Sequence, residues 1–335
     1  MTVRPFDDFR ALLTNLPTAD AFSITLAKKR QAKLTQAQGA LGKLGDIAVW
    51  YAGWRGEEKP FIKRPLVAIF SGNHGVIEEK VTPFPQSMTQ QMVKNFSSGG
   101  AAINQICVTY DLGLKIFDLA LEYPTVNITK DAAMDECSAA ATMAFGMESI
   151  AGGTDLLCIG EMGIGNTTIA SALCFALFGG VVEEWTGGGM GSQGEFYQRK
   201  IAAVKTAVSL HKDYLNDPFE IMRRLGGREI AAMVGAILAA RMEKVPVILD
   251  GFVATAAAAV LYKMHPQALD HTLVGHISSE PAHRKLLTKI GKEPLLDLKM
   301  CLGEGTGAAI AAGIVKAAVL THAKMAILEQ ENLTT

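Results

Sequence analysis

The chain lacks a charge excess of either sign. Its 335 residues carry 32 Lys and Arg against 33 Asp and Glu, a net charge of −1. That balance gives no electrostatic case for nucleic acid or an anionic membrane as partner. Cysteine is scarce: five residues, at 107, 137, 158, 174 and 301, with no Cys-x-x-Cys pair. Four of them are expected in apolar, buried runs as reduced core thiols, which leaves no disulfide framework and no cysteine metal site. The first ten residues have no apolar signal core and carry Asp7 and Asp8, so no secretory leader is expected. The longest apolar stretch, 308–320, is broken by Lys316 and is expected to be too short for a bilayer. These absences together point to a cytoplasmic protein. No His-x-x-x-His or His-Glu-x-x-His spacing offers a metal site, no Gly-x-Ser-x-Gly marks a hydrolase elbow, and no lysine completes a Walker A loop.

What remains is an Ala/Gly-rich chain, 49% apolar and 19% charged, large enough to bury a substantial core. Residues 1–55 read as helices, with apolar positions near helical spacing over 19–33 and 36–54. The segment 56–65, charged and with two prolines, reads as a linker. Beyond Pro65 short apolar runs (66–70, 114–119, 155–159, 245–249 and 271–274) alternate with Ala-rich helical stretches. Continuous apolar runs between helices predict an α/β fold whose parallel sheet is covered on both faces. Ligands of such sheets sit beyond the C-terminal strand ends. Here those ends are small, polar or acidic, among them Ser71, Asp118, Glu161, Asp250 and His276. A final helix is predicted over 308–328.

Two glutamates sit among glycines ahead of helices: Glu161 in Gly-Glu-Met-Gly-Ile-Gly and Glu304 in Gly-Glu-Gly-Thr-Gly. Partial desolvation among glycines and apolar strands raises a carboxyl pKa toward neutrality, where it serves as a general base. Each could equally do no more than accept loop N–H groups. The residues after Glu161, namely Gly163, Ile164, Gly165, Asn166 and Thr167, run from a tight loop into a helix N-terminus. Exposed amides and the helix dipole there favour an anion. Gly189-Met190-Gly191-Ser192-Gln193-Gly194 matches a dinucleotide fingerprint in form, but no strand precedes it and no ribose-binding acid follows on a second strand; it reads better as a loop closing on a site. Lys200 follows it on a helical segment, 195–211. The segment 81–92, with two prolines, apolar side chains and glutamines, reads as one wall of a flat aromatic pocket or as a loop leading into a capped helix.

Taken in order along the chain, Gly-Asn-His-Gly-Val (72–76), Asn-Phe-Ser-Ser-Gly-Gly-Ala-Ala-Ile-Asn (95–104), Gly-Glu-Met-Gly-Ile-Gly-Asn-Thr-Thr (160–168), Glu-Ile-Ala-Ala-Met-Val-Gly (229–235), Ser-Ser-Glu-Pro-Ala-His (278–283) and Leu-Gly-Glu-Gly-Thr-Gly-Ala-Ala (302–309) resemble the nicotinate-nucleotide:dimethylbenzimidazole phosphoribosyltransferase family. The resemblance implies a Rossmann-like parallel sheet flanked by helices, residues 60–308, with a small helical domain from 1–59 plus 309–335. It implies transfer of the phosphoribosyl group of nicotinate mononucleotide to 5,6-dimethylbenzimidazole with inversion. The products are α-ribazole 5′-phosphate and nicotinate, in assembly of the cobalamin nucleotide loop. By similarity Glu304 is the base and Glu161 a second acid near the ribose. Gly163, Ile164, Gly165, Asn166, Thr167, Lys200, Ser278, Ser279 and Asp250 fall on the nucleotide and phosphate side. Thr82, Gln86, Gln90, Met92 and Leu302 frame the base. No metal and no cofactor are expected, and a homodimer is, with N-terminal helices approaching the partner's site.

Three positions depart from the family pattern. Asn73 stands where an aspartate is usual, the 186–191 loop has no arginine, and Cys301 stands where an arginine commonly precedes Leu-Gly-Glu. The lost charges leave two alternatives open: transfer to another acceptor (adenine, another benzimidazole, a phenol), or a catalytically silent nucleotide-binding homologue.

Overall fold

The computed structural model describes residues 4–37, 39–189 and 193–328. The Gly-rich match at 189–194 and the arginine-less loop 186–191 therefore lie partly outside the described residues. Six strands, β1 (Pro65–Ser71), β2 (Gly113–Asp118), β3 (Leu156–Met162), β4 (Val247–Leu249), β5 (Thr272–His276) and β6 (Pro294–Leu296), form one sheet in the order β2-β1-β3-β4-β5-β6. Every pairing is parallel. The five apolar runs all became strands. The sixth, β6, was not anticipated: it is a three-residue, half-buried edge piece beginning at Pro294, between charged Glu293 and Asp297. Proline is tolerated at an edge, and so short a run carries no pattern.

The alternation within β1 explains why it reads as unbroken apolar. Leu66, Ala68 and Phe70 join the core on one face and Val67 and Ile69 that on the other. Helices Glu136–Met147, Asn166–Phe178, Arg228–Met242 and Phe252–Met264 cover the first face. Lys43–Arg55, Ala102–Tyr110 and Thr306–Lys324 cover the second. Both sides of each central strand are thus removed from water, the condition for all-parallel pairing. After β2 the chain returns past β1 to build β3, so the connections from β1 and β3 diverge above their C-terminal ends and leave a crevice there.

Several boundaries differ from expectation. The helix predicted over 36–54 begins only at Lys43, because Gly39 and Gly42 take positive φ (79° and 47°) in the turns before it. The last helix starts earlier and ends earlier than predicted, at Thr306–Lys324. It is 19 residues long, and by length and composition it could cross a membrane, which corrects the expectation that the segment is too short. Its apolar side is already occupied: Ala308, Ala311, Ala312 and Val315 are fully buried in the second core. Three cysteines rather than four are buried, because Cys137 lies on the exposed first turn of Glu136–Met147 and Cys301 is also exposed.

The two ends of the chain are clasped together. Buried Arg30 donates from Nε to His322 O (2.7 Å) and from Nη2 to Ala323 O (3.1 Å) and Met325 O (3.0 Å), while Leu34 bridges Ile327. One planar guanidinium satisfies carbonyls that the end of the last helix leaves without partners. Arg30→Ala is expected to lower the unfolding free energy by roughly 2–3 kcal/mol, because buried carbonyls lose charged donors. Chemical denaturation would read this as a lower midpoint, with little change in turnover.

Candidate active site

Above the β1/β3 crevice lies a cavity of about 240 Å³. Its floor is the end of β3 and two Gly-rich loops, and one wall is apolar, built from Val81, Phe84, Met88, Met92 and Leu302. A wall of that kind suits a flat ring. Thr82, Glu161, Gly163, Ile164, Gly165, Asn166, Thr167, Ser278 and Glu304 also line it. Residues 220 positions apart or more in sequence are thus brought to one space by the sheet. The cavity also takes Met162, Phe252, Val253, Glu280 and Cys301, which carry no site role in the sequence analysis, together with Thr168, Gly189, Gly251, His276 and Gly303 from the Gly-rich loops and strand ends.

Glu304 sits in a tight turn after β6. Its φ is +62°, a left-handed conformation uncommon for a residue with a side chain. The turn is held from three sides. Glu304 N donates to Glu161 O (3.2 Å), Gly305 N to Asp250 Oδ2 (3.1 Å), and Ala308 N to Asp250 Oδ1 (2.9 Å). Asp250 is fully buried and is not part of the cavity lining; it accepts the amides that open the last helix and fixes the loop carrying Glu304. Glu304 is 5% exposed, and burial, aided by the nearby Asp250 charge, pushes its carboxyl up to about 7. A carboxyl poised at neutrality is what a general base needs.

Glu161, at the end of β3, is held well above the usual carboxylate range by burial and then by Asp250, Glu229 and Glu304. Asn166 Nδ2 donates to its Oε2. The two glutamates therefore meet through backbone and field rather than standing as independent motifs.

The loop after Glu161 turns into the Asn166–Phe178 helix through Gly165 at φ +93°. Thr89 Oγ1 accepts Ile164 N (3.1 Å) and Gly163 O accepts Asn166 N (3.1 Å). Among the described residues the amides of Gly165 and Thr167 have no internal acceptor. With the helix dipole they make an anion seat. Lys200, on Glu195–Leu210, does not line the cavity but lies directly behind the seat, donating to Thr167 Oγ1 (2.9 Å) and Gly187 O (2.8 Å).

Other expected residues take different places. Ser279 Oγ donates to Lys299 O (2.8 Å) and its amide to Met300 O (2.9 Å), bracing the 299–302 segment from outside. Gln86 reaches His74 O (3.5 Å), Gln90 is exposed, and neither lines the cavity. His74, read as a strand-end histidine, pairs with Glu229 (Nε2–Oε1 3.0 Å), both fully buried. The pair packs tightly against Gly72, Gly163 and Gly227, beneath the anion seat. Asn73 donates from its amide to Leu121 O (2.9 Å), a bond an ionised aspartate could not give. His276, 1% exposed, wedges between Gly251 and the start of the last helix, its Nδ1 3.7 Å from Asp250 Oδ1. His276 lies at a strand end, as expected, whereas only the fold places Glu280 beside this cavity; in sequence Glu280 carries no distinguishing spacing.

The phosphoribosyltransferase family profile matches residues 16–332. The chain is 64% identical over 330 residues to the nicotinate-nucleotide–dimethylbenzimidazole phosphoribosyltransferases of Brucella anthropi and Brucella canis, covering 98% of this chain and 97% of each relative. Among solved structures it is similar to the enzyme of that name from Thermus thermophilus. The TM-score is 0.85 at 37% identity, covering 92% of this chain and 97% of the other.

Proposed function

This chain belongs to the nicotinate-nucleotide–dimethylbenzimidazole phosphoribosyltransferase family, and from that premise we propose that it moves the phosphoribosyl group of nicotinate mononucleotide to 5,6-dimethylbenzimidazole. The observation that carries the proposal is the pairing, in one cavity, of a carboxyl poised near 7 with a helix N-terminal anion seat. In this reading the seat at 163–167 takes the 5′-phosphate, backed by Lys200. The apolar wall takes the flat acceptor base, with Thr82, Met92 and Leu302 at its edge. One imidazole nitrogen attacks C1′ while the bond from C1′ to the pyridinium nitrogen breaks. The electron pair of that bond leaves with nicotinate, and the N–H proton of the attacking base passes to Glu304. Glu161, whose carboxyl burial holds well above the usual carboxylate range, hydrogen-bonds the ribose. Asp250 and Ser279 serve by holding the 299–308 segment rather than by touching the nucleotide. A homodimer in the cytoplasm belongs to the same proposal.

The test is conversion of nicotinate mononucleotide and dimethylbenzimidazole to α-ribazole 5′-phosphate and nicotinate, followed by chromatography. Absence of product with active-site-titrated protein would reject the reading. The pH profile is a second check. Glu304 must be ionised to accept a proton, so the rate should rise with pH through about 7. Lys200 must be charged to hold phosphate, so kcat/KM for the nucleotide should fall above about 8.

A further inference from the structure

Behind the anion seat lie a cation and a carboxylate whose relation the reaction above leaves unexplained. Lys200 is 1% exposed, and both acceptors of its Nζ, Thr167 Oγ1 and Gly187 O, are neutral. An ammonium has three donors, so one has no acceptor among the described residues. Lys200 Nζ and Glu280 both stand next to Gly189: a Cβ there would lie 3.6 Å from Lys200 Nζ and 3.5 Å from Glu280 Oε1. Glu280 precedes the Pro281–Ile290 helix, lines the cavity, and is 6% exposed. Its Oε2 is packed against Gly187 and has no hydrogen-bond partner among the described residues. The cation and the carboxylate thus flank the same short backbone segment, 187–189, without a direct ion pair among the described residues.

We propose that Glu280 is a positioning residue for the substrate phosphate: its charge keeps Lys200 an ammonium within the fold, with the third N–H left for the phosphate. The inference rests on the reading of the seat as the nucleotide's phosphate site. A buried ammonium next to neutral acceptors tends to shed its proton. Burial does push Lys200 down, to about 8, and Glu280 is the charge that opposes it. Several other carboxylates on neighbouring elements have partners of their own. Glu195 pairs with Arg199 on the outer face of the same helix, Glu184 with Lys285, and Glu78 and Glu79 with Lys130, Asn127 and Thr129. A buried carboxylate whose Oε2 has no hydrogen-bond partner among the described residues would by itself repel an anion in the seat. Its presence is accounted for if it acts on the lysine.

The test is calorimetric titration with nicotinate mononucleotide alone, without acceptor base, and separately with inorganic phosphate, between about pH 6.5 and 9.5. Wild-type affinity should fall as pH rises through about 8. In Glu280→Gln the midpoint should move down by at least about one pH unit. Binding would then be near-normal at the acid end and about fivefold weaker than wild type at the wild-type midpoint. Glu280→Asp, which keeps the charge, should restore the wild-type midpoint. An unmoved midpoint in Glu280→Gln overturns the inference, as does equal weakening in both variants at every pH, the mark of a scaffold role. Wild-type protein that binds phosphate with this pH dependence but not the mononucleotide rejects the proposed substrate and leaves the lysine pairing standing. Binding of neither rejects both.

Discussion

Glu304→Gln is expected to lower turnover roughly 10²- to 10⁴-fold, about 3–5 kcal/mol of transition-state stabilisation. Glutamine keeps the length and planarity of the side chain and the backbone bonds of the turn, but it cannot accept the proton of the attacking nitrogen. Nucleotide affinity, which the proposed phosphate seat at 163–167 would set, should stay within a few-fold. The residual activity should no longer rise through about pH 7, because the group that titrates there is gone. Misfolding is separable from this effect. The Glu304 carboxyl is raised in the fold from an ordinary 4.5 to about 7, so ionising it costs the folded state stability as pH climbs through that range. The glutamine variant should therefore be at least as heat-stable as wild type at pH 8. Wild-type turnover in this variant would remove Glu304 from the mechanism.

The second large effect is expected from a residue with no side chain. In β3, a Cβ on Gly160 would lie 2.5 Å from Gly305 Cα and 2.9 Å from Glu304 C. Both are backbone atoms that cannot rotate aside. Gly160→Ala must push the Glu304 turn away from the sheet, and overpacking of this kind costs about 1–3 kcal/mol of stability. A displacement near 1 Å of a catalytic group costs on the order of 10²-fold in rate. The anion seat lies beyond the contact, so the nucleotide should still bind. The expected result is a large fall in kcat, a lowered unfolding temperature and a nearly unchanged dissociation constant for nicotinate mononucleotide. Full activity in Gly160→Ala would show that the two loops are not mechanically coupled.

The legibility of this fold tracks burial. The strands with a core on both faces wrote their burial into unbroken apolar runs, as β1 and β3 show, whereas the half-buried edge strand β6 left no pattern. Helix starts were misread where glycines with positive φ carry the turn, as at Gly42. Within the cavity, Glu304 and the 163–167 seat were visible because glycines concentrate where backbone must approach backbone or ligand. Glu280 was not, since its burial and the missing partner of its Oε2 among the described residues arise only when distant segments meet. Asp250 and Ser279 stood at strand ends as expected, yet their bonds are to backbone that holds other residues in place.

By itself the sequence determined the α/β class, the parallel sheet, the Gly-rich turn into a helix after β3 and the two Gly-enclosed glutamates, since hydrophobic period and glycine spacing are local properties of the chain. Tertiary structure alone decided how the glutamates differ. Burial and their shared neighbour Asp250 poise Glu304 near 7 and hold Glu161 well above the ordinary carboxylate range, the latter with Glu229 and Glu304 adding to the field. Desolvation and Coulomb fields depend on what surrounds a group in space, and no spacing along the chain encodes that.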